Sequence, residues 1–318
     1  MYGVVGYLDR AGDGYAPIGS IALKMLRSLS PHAPDSTGAA FFMPQTHGQV
    51  LVAVKIEGDD ERTLSGRVVR RVGRKANVVK SRMVGHTLQL VLDAVEDLRG
   101  VVDVVESVSE IGGVECFSVG RCLSIVKDVG SIEHLEEEYA FSTIRGTHMI
   151  GQARLATESR VDMSHSQPFW ARPRPDVAVA HTGQVTNHHK LRRRYEAQGQ
   201  RFFTDNDAEV IGTFLALEME QGASLEDAMR ASLGVLDGTY AYVAATEREM
   251  GAAKDFMGAR PLVIAETDDF VVVSSEAAAV CEGLEQDLVT WEPDAKEVHV
   301  WPIRMPPVAD PFGQSASL

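Results

Sequence analysis

The chain is predicted to be an α+β protein in which antiparallel sheets form the centre and helices lie segregated on their outer faces. Two observations lead there. Strand-like runs occupy the beginning and the end of the chain with paired amphipathic helices between them, the order of an α+β layer structure rather than of repeated βαβ units. In addition, no G-x-G-x-x-G follows a strand, which disfavours a dinucleotide-binding parallel sheet. With 318 residues, 44% of them hydrophobic, the chain is long enough for one large core or two modest domains and is far above the size that needs staples. Residues 1–304 read as a single domain, residues 44–147 as an elaboration set into it, and residues 305–318 as a loose tail.

The first strand, residues 2–7 (YGVVGY), starts so early that it has to be tied into a sheet. Ile18, Ile21, Ala22, Met25, Leu26 and Leu29 then recur at helical spacing, and the helix stops before Pro31. A turn-rich loop, residues 32–38, feeds strands at 39–43 and 50–56. Between residues 66 and 82, Arg67, Arg70, Arg71, Arg74, Lys75, Lys80 and Arg82 occur with no acid among them. This run reads as a solvated face with Val68, Val69, Val72, Val78 and Val79 turned inward, or alternatively as a docking face for an acidic partner. Residues 87–98 read as an amphipathic helix, 101–108 and 114–119 as strands, and Ser131 as the cap of a helix through Tyr139. Helices are expected at 190–197, 208–220 and 224–233, and strands at 240–245, 262–265 and 270–274, with strand-like pieces between 289 and 301.

Composition narrows the function. Forty-five acidic against 31 basic residues give a formal charge of −14, which weighs against general affinity for nucleic acid or an anionic membrane. Cys116, Cys122 and Cys281 form no C-x-x-C pair, so they indicate neither a disulfide framework nor a zinc knuckle and read as reduced thiols of a cytoplasmic protein. No apolar run approaches the ~20 residues of a membrane helix. His181, His188 and His189 lie close together but lack H-E-x-x-H or Cys/His spacing, so no metal site is expected. Ser164-His165-Ser166 is likewise no catalytic triad without an acid and an oxyanion hole.

Chemistry concentrates in residues 149–189, where two short strands each run into a polar turn. Arg154, Thr157, Glu158, His181, Thr182 and Asn187 sit near those strand ends, where pockets are commonly built. In order along the chain come a strand at residue 2, Pro34-Asp35-Ser36 with Gly38, Arg154-Leu155-Ala156-Thr157, His181-Thr182-Gly183, Thr204-Asp205-Asn206-Asp207-Ala208-Glu209, Gly258-Ala259-Arg260-Pro261-Leu262, and Ser275-Glu276. That series resembles the class II glutamine amidotransferases, N-terminal-nucleophile hydrolase domains that release ammonia from glutamine. The resemblance covers most of the chain and implies a four-layer α/β/β/α sandwich.

With its insertion and its Arg154-to-Ser159 run, the chain is most similar to stand-alone amidotransferase-like subunits of glutamate-synthase-type assemblies, in particular those of the N-methylglutamate synthases. This implies partner subunits homologous to the FMN and C-terminal domains of glutamate synthase. FMN and an iron-sulfur cluster would then sit on a partner and no cofactor on this chain. Such an assembly makes N-methylglutamate from methylamine and glutamate with release of ammonia.

The resemblance fails at the reacting centre. The family nucleophile is a cysteine directly after the initiator Met, whose own α-amine serves as base. Tyr2 stands there instead, and a phenol with pKa about 10 is ionised only about one part in a thousand at pH 7. Met1, followed by a bulky residue, is expected to remain, leaving no α-amine beside the side chain. The family's His-Asn-Gly is His181-Thr182-Gly183, so the Gly183 amide persists but the carboxamide donor is lost, a change worth ~3 kcal/mol in a transition state. The His-Arg-Gly-Pro-Asp loop is Pro31-His32-Ala33-Pro34-Asp35.

Substrate-holding positions persist: by resemblance Arg154 meets the α-carboxylate of glutamate or glutamine, Asp207 its α-ammonium, and Thr157 and Gly183 complete the pocket. The leading expectation is a subunit of an N-methylglutamate synthase-type assembly without glutaminase activity, acting in scaffolding or in forming a path for the amine or ammonia. A glutaminase supplying ammonia to a glutamate-synthase-like partner and a glutamate-sensing module are the alternatives.

Overall fold

The computed structural model describes residues 2–10, 14–33, 35–44, 48–93, 98–155, 160–172 and 174–303. The tail expected at 305–318 lies outside them. In chain order the first elements are β1 (Tyr2–Asp9), α1 (Ile18–Leu29), β2 (Ser36–Phe42), β3 (Val50–Ile56), α2 (Glu61–Val72), β4 (Asn77–Val84), β5 (Thr87–Asp93) and α3 (Leu98–Val108). There follow β6 (Val114–Gly120), β7 (Leu123–Val129), α4 (Ile132–Tyr139), β8 (His148–Arg154), β9 (Phe169–Trp170), β10 (Ala178–Val185), α5 (His188–Ala197), α6 (Asp207–Glu220) and α7 (Leu225–Ser232). The last are β11 (Gly238–Ala245), β12 (Glu249–Lys254), β13 (Val263–Glu266), β14 (Phe270–Ser274), α8 (Ala277–Leu284) and β15 (Val298–Pro302).

Two antiparallel sheets face each other, one ordered β13-β14-β1-β8-β2-β7 and the other β15-β12-β11-β10-β9. Side chains alternate across each strand and so divide between two cores. Val4 and Leu8 of β1 join Ala40, Phe42 and Ile150 between the sheets, where they meet Ala178, Ala180 and Val243 of the second sheet. Val5 and Tyr7 point the other way, against Ile18, Met25 and Leu29 of α1 and Val280 of α8. On the far side Val179, Tyr240 and Tyr242 pack against α5, α6 and α7. The result is the α/β/β/α sandwich that the resemblance implied.

A third sheet, β4-β5-β3-β6, carries α2 and α3 and extends the inter-sheet core through Val52, Val54, Leu90 and Val105. It is built from residues 50–120, whereas β7 and β8 belong to the six-stranded sheet. Asp176 joins the two parts. In a left-handed conformation (φ 58°), its carboxylate accepts the N–H groups of Arg121, Cys122 and Leu123, each at 2.9 Å, and pins the β6–β7 turn.

Two sequence expectations are reversed. Residues 87–93 form a strand, not a helix, because Leu88, Leu90 and Leu92 are buried at a period of two. Residues 101–108 form helix α3, not a strand: Val101, Val102, Val105 and Val108 fall on one helical face, and that period outweighs the β-branched composition. In the basic run Val68 and Val72 are buried as expected, but Val79 is exposed in edge strand β4. The thiols of Cys116 and Cys122 are buried, and burial pushes Cys116 up to about 12, which suits inert core residues.

Candidate functional site

A cavity of about 140 Å³ lies where the ends of β8 and β10 meet the N-terminus of α6, with Arg154, Gln167, His181, Gly183, Asp205 and Asp207 in its wall. Arg154 is the last residue of β8, set between the starts of β1 and β2, opposite Tyr2 and Ser36. It is 2% exposed and its Nη1 donates to the His165 carbonyl at 2.9 Å. Asn206 Nδ2 donates to the same carbonyl at 3.2 Å while its Oδ1 caps α6 by accepting the Ala208 N–H. The guanidinium and the helix cap thus share one anchor.

Asp207, in the first turn of α6, presents Oδ1 to His181 Nε2 at 3.1 Å, and its Oδ2 accepts the Val185 N–H at 2.8 Å. Burial alone would raise this carboxyl, but His181 and the Val185 amide hold it down at about 2. Gln167 determines which way His181 is protonated. Its Oε1 accepts the His181 backbone N–H at 2.8 Å, and since that group can only donate, the Gln167 amide nitrogen must face the ring. Gln167 Nε2 therefore donates to His181 Nδ1 at 2.9 Å, which leaves the proton on Nε2, toward Asp207. Gln152 of β8 completes the hold by donating to the His181 carbonyl at 2.6 Å.

The loop bearing Gln167 is braced from three directions. His165 has Asp162 at 2.7 Å from Nδ1 and Asp205 at 2.7 Å from Nε2, so its ring ties this loop to the approach of α6. Both carboxyls are held low: burial opposes this, but the His165 hydrogen bonds prevail. From the third sheet, Glu115 accepts the Ser164 hydroxyl at 2.5 Å, and Lys55 Nζ lies 3.3 Å from that same oxygen. From β7, buried Lys127 donates to the Ser166 carbonyl at 2.7 Å and sits 4.5 Å from the Phe169 ring centre; desolvation lowers its pKa to about 8. Gly38 of β2 permits this closeness, for a Cβ there would stand 2.4 Å from the Gln167 carbonyl.

Of the residues expected from sequence, Arg154, Gly183 and Asp207 come together at the cavity. Gly183 holds φ 100°, a left-handed value that suits glycine. Thr182 is absent from the cavity wall; alternation puts it with Ala178 and Ala180 on the face between the sheets, whereas His181 shares the face of Val179 and Val185. Thr157 lies outside the described residues, as does the side chain of Tyr2, whose backbone pairs with Arg154. Sequence reasoning assigned nothing to Gln167 and discounted His165, because their partners are brought up by folding and no local motif marks them.

The cavity presents a guanidinium and a carboxylate at once, a pairing suited to the two charges of an amino acid. Among the described residues of its wall none carries a hydroxyl, thiol or amine nucleophile. Among the described residues no group of three His, Cys, Asp or Glu side chains could hold a metal ion.

Comparison with known proteins sets this geometry in a family. The glutamine amidotransferase domain family matches residues 152–282. The "Putative glutamine amidotransferase" of Methanothermobacter thermautotrophicus is 30% identical over 286 residues, covering 89% of this chain and 93% of its own. The glutamine amidotransferase-like protein GlxB of Rhizobium meliloti is 30% identical over 311 residues, covering 95% and 98%. Among solved structures, the glutamine phosphoribosylpyrophosphate amidotransferase of B. subtilis superposes with TM-score 0.58 at 22% identity, over 94% of this chain but only 46% of the longer enzyme. Two relatives matched along nearly their whole length and a shared sandwich fold lead to one assignment: the chain belongs to the class II glutamine amidotransferase family.

Proposed function

We propose that the chain is an amidotransferase-like subunit that holds a glutamate-class amino acid without hydrolysing an amide, within an assembly of the N-methylglutamate synthase type. The observation that carries this reading is the residue directly across the β1–β8 ladder from Arg154. It is Tyr2, where the family's chemistry needs a small nucleophile. Arg154 and Asp207 favour retained recognition, since one supplies a fork for a carboxylate and the other an ionised carboxylate for an ammonium. An assembly that takes methylamine from solution has no use for ammonia released from glutamine, which accounts for tolerance of tyrosine at position 2. FMN and an iron-sulfur cluster would reside on the synthase-type partners.

The test is twofold. Purified full-length chain should release no ammonia from glutamine yet give a calorimetric signal with glutamate that Arg154→Ala abolishes; ammonia release by the unmodified chain overturns the reading. Co-expression with synthase-type subunits should yield a stable complex that turns over methylamine and glutamate. A chain that stays monomeric beside them removes the assembly part of the proposal.

A further inference from the structure

Helix α2 carries a second charged constellation, on the third sheet. Its apolar stripe, Val68 and Val72, is buried; on another face lie Arg67, Arg70 and Arg71, and Arg74 continues their spacing of three and four residues from the turn that follows the helix. With Ile111 these four side chains line a hollow of about 190 Å³. Arg71 is pinned by the Ser107 carbonyl at 2.5 Å and by Glu110 at 3.1 Å. Arg70 folds back along the helix, its Nη1 lying 3.5 Å from where a Cβ on Gly66 would stand. Among the described residues Arg67, Arg70 and Arg74 form no ion pair, although the chain carries a formal charge of −14.

Like charges at these spacings repel one another, and an anion laid along the stripe relieves that repulsion. From residue 67 to residue 72, where the helix ends, the axis rises about 7.5 Å, and Arg74 follows in the turn just beyond. This length suits a short run of phosphoryl groups, whose oxygens match the guanidinium fork. The C-terminal end of the helix dipole opposes an anion, but it amounts to about half a charge against several full ones. A protein partner would need an apolar centre to its interface, and among the described residues of the hollow's wall Ile111 alone is apolar, itself 5% exposed. We propose that the α2 hollow is a binding site for a linear phosphate anion of two or three phosphoryl groups, free or carried by a nucleotide.

Calorimetric titration of the full chain with inorganic triphosphate at low salt tests this. The expected result is one saturable site per chain, weakened at least about tenfold in the R67E/R70E/R74E variant. The affinity should be unchanged in the K80E/R82E variant, whose charges sit on the neighbouring exposed strand β4. A parallel titration with ATP distinguishes the sources: equal affinity means that only the phosphate run is read, and tighter binding means that the nucleoside adds contacts. All three arginines are exposed, and should the triple variant misfold, Arg74→Glu alone must still weaken binding. The proposal is overturned by no saturable binding, by equal loss in both variants, or by an acidic peptide binding through the stripe when triphosphate does not.

Discussion

Gln167 grips His181 at two points, accepting its backbone N–H at 2.8 Å and donating to its Nδ1 at 2.9 Å. The grip fixes both the ring and its proton. Nitrogen NMR of the neutral imidazole should therefore show His181 as the Nε2–H tautomer. Gln167→Leu removes both bonds and leaves a buried N–H unpaired, at a cost of about 1–3 kcal/mol in urea unfolding. The same substitution should let the ring populate the other form.

Asp207 makes stability pH-dependent with a definite sign. Its folded pKa of about 2 lies below the unfolded value of 3.8, so its contribution is fully present above the unfolded value and lost as pH falls through about 2. The side chain is mostly buried, and linkage puts the contribution at about 2 kcal/mol. Asp207→Asn should flatten the acid limb of the stability curve between pH 4 and 2 relative to the parent, as followed by urea midpoints.

Lys127 acts in the opposite range. Its folded pKa of about 8 lies below the unfolded value of 10.5, so the unfolded chain binds the proton more tightly, and this group makes the fold more stable as pH rises from about 8 toward 10. Lys127→Met removes that slope. The difference between the two proteins is the quantity to measure, since buried tyrosines such as Tyr242, raised by desolvation, contribute equally to both.

The bond from Ser164 to Glu115 carries the third sheet's influence to the cavity wall. Glu115→Ala should cost about 1–2 kcal/mol in thermal or urea unfolding. It should also speed hydrogen exchange at the His165 amide, which donates to Asp162. Unchanged exchange there would mean that the loop is held by Lys127 and His165 alone.

Periodicity made much of the fold legible. Strand β1, helix α1 and the long helix α6 carry their own patterns, and tertiary packing agrees with them. The errors fall where composition and period disagree, as in valine-rich α3, or where pairing overrides local preference. Strand β12 reads Glu-Met-Gly-Ala-Ala-Lys, a helix-former's composition, yet it is held between β11 and β15 in the second sheet. At the site, Arg154 and Asp207 were readable because each stands in a short motif. Gln167 and His165 were not, because their importance comes from His181, Asp205 and Asp162, which fold against a loop that has no pattern of its own.

Gly38 gives the molecule an unusual distribution of sensitivity. It lies in β2, outside the cavity wall. Yet one added methyl group would meet the Gln167 carbonyl at 2.4 Å and the Lys127 Cβ at 2.5 Å. Backbone cannot yield as a flexible side chain can, so the displacement would pass through Gln167 to the His181 imidazole and its proton. An absent side chain in one sheet thereby governs how a ring in the other is held, and variation at this position should be read as variation of the pocket itself.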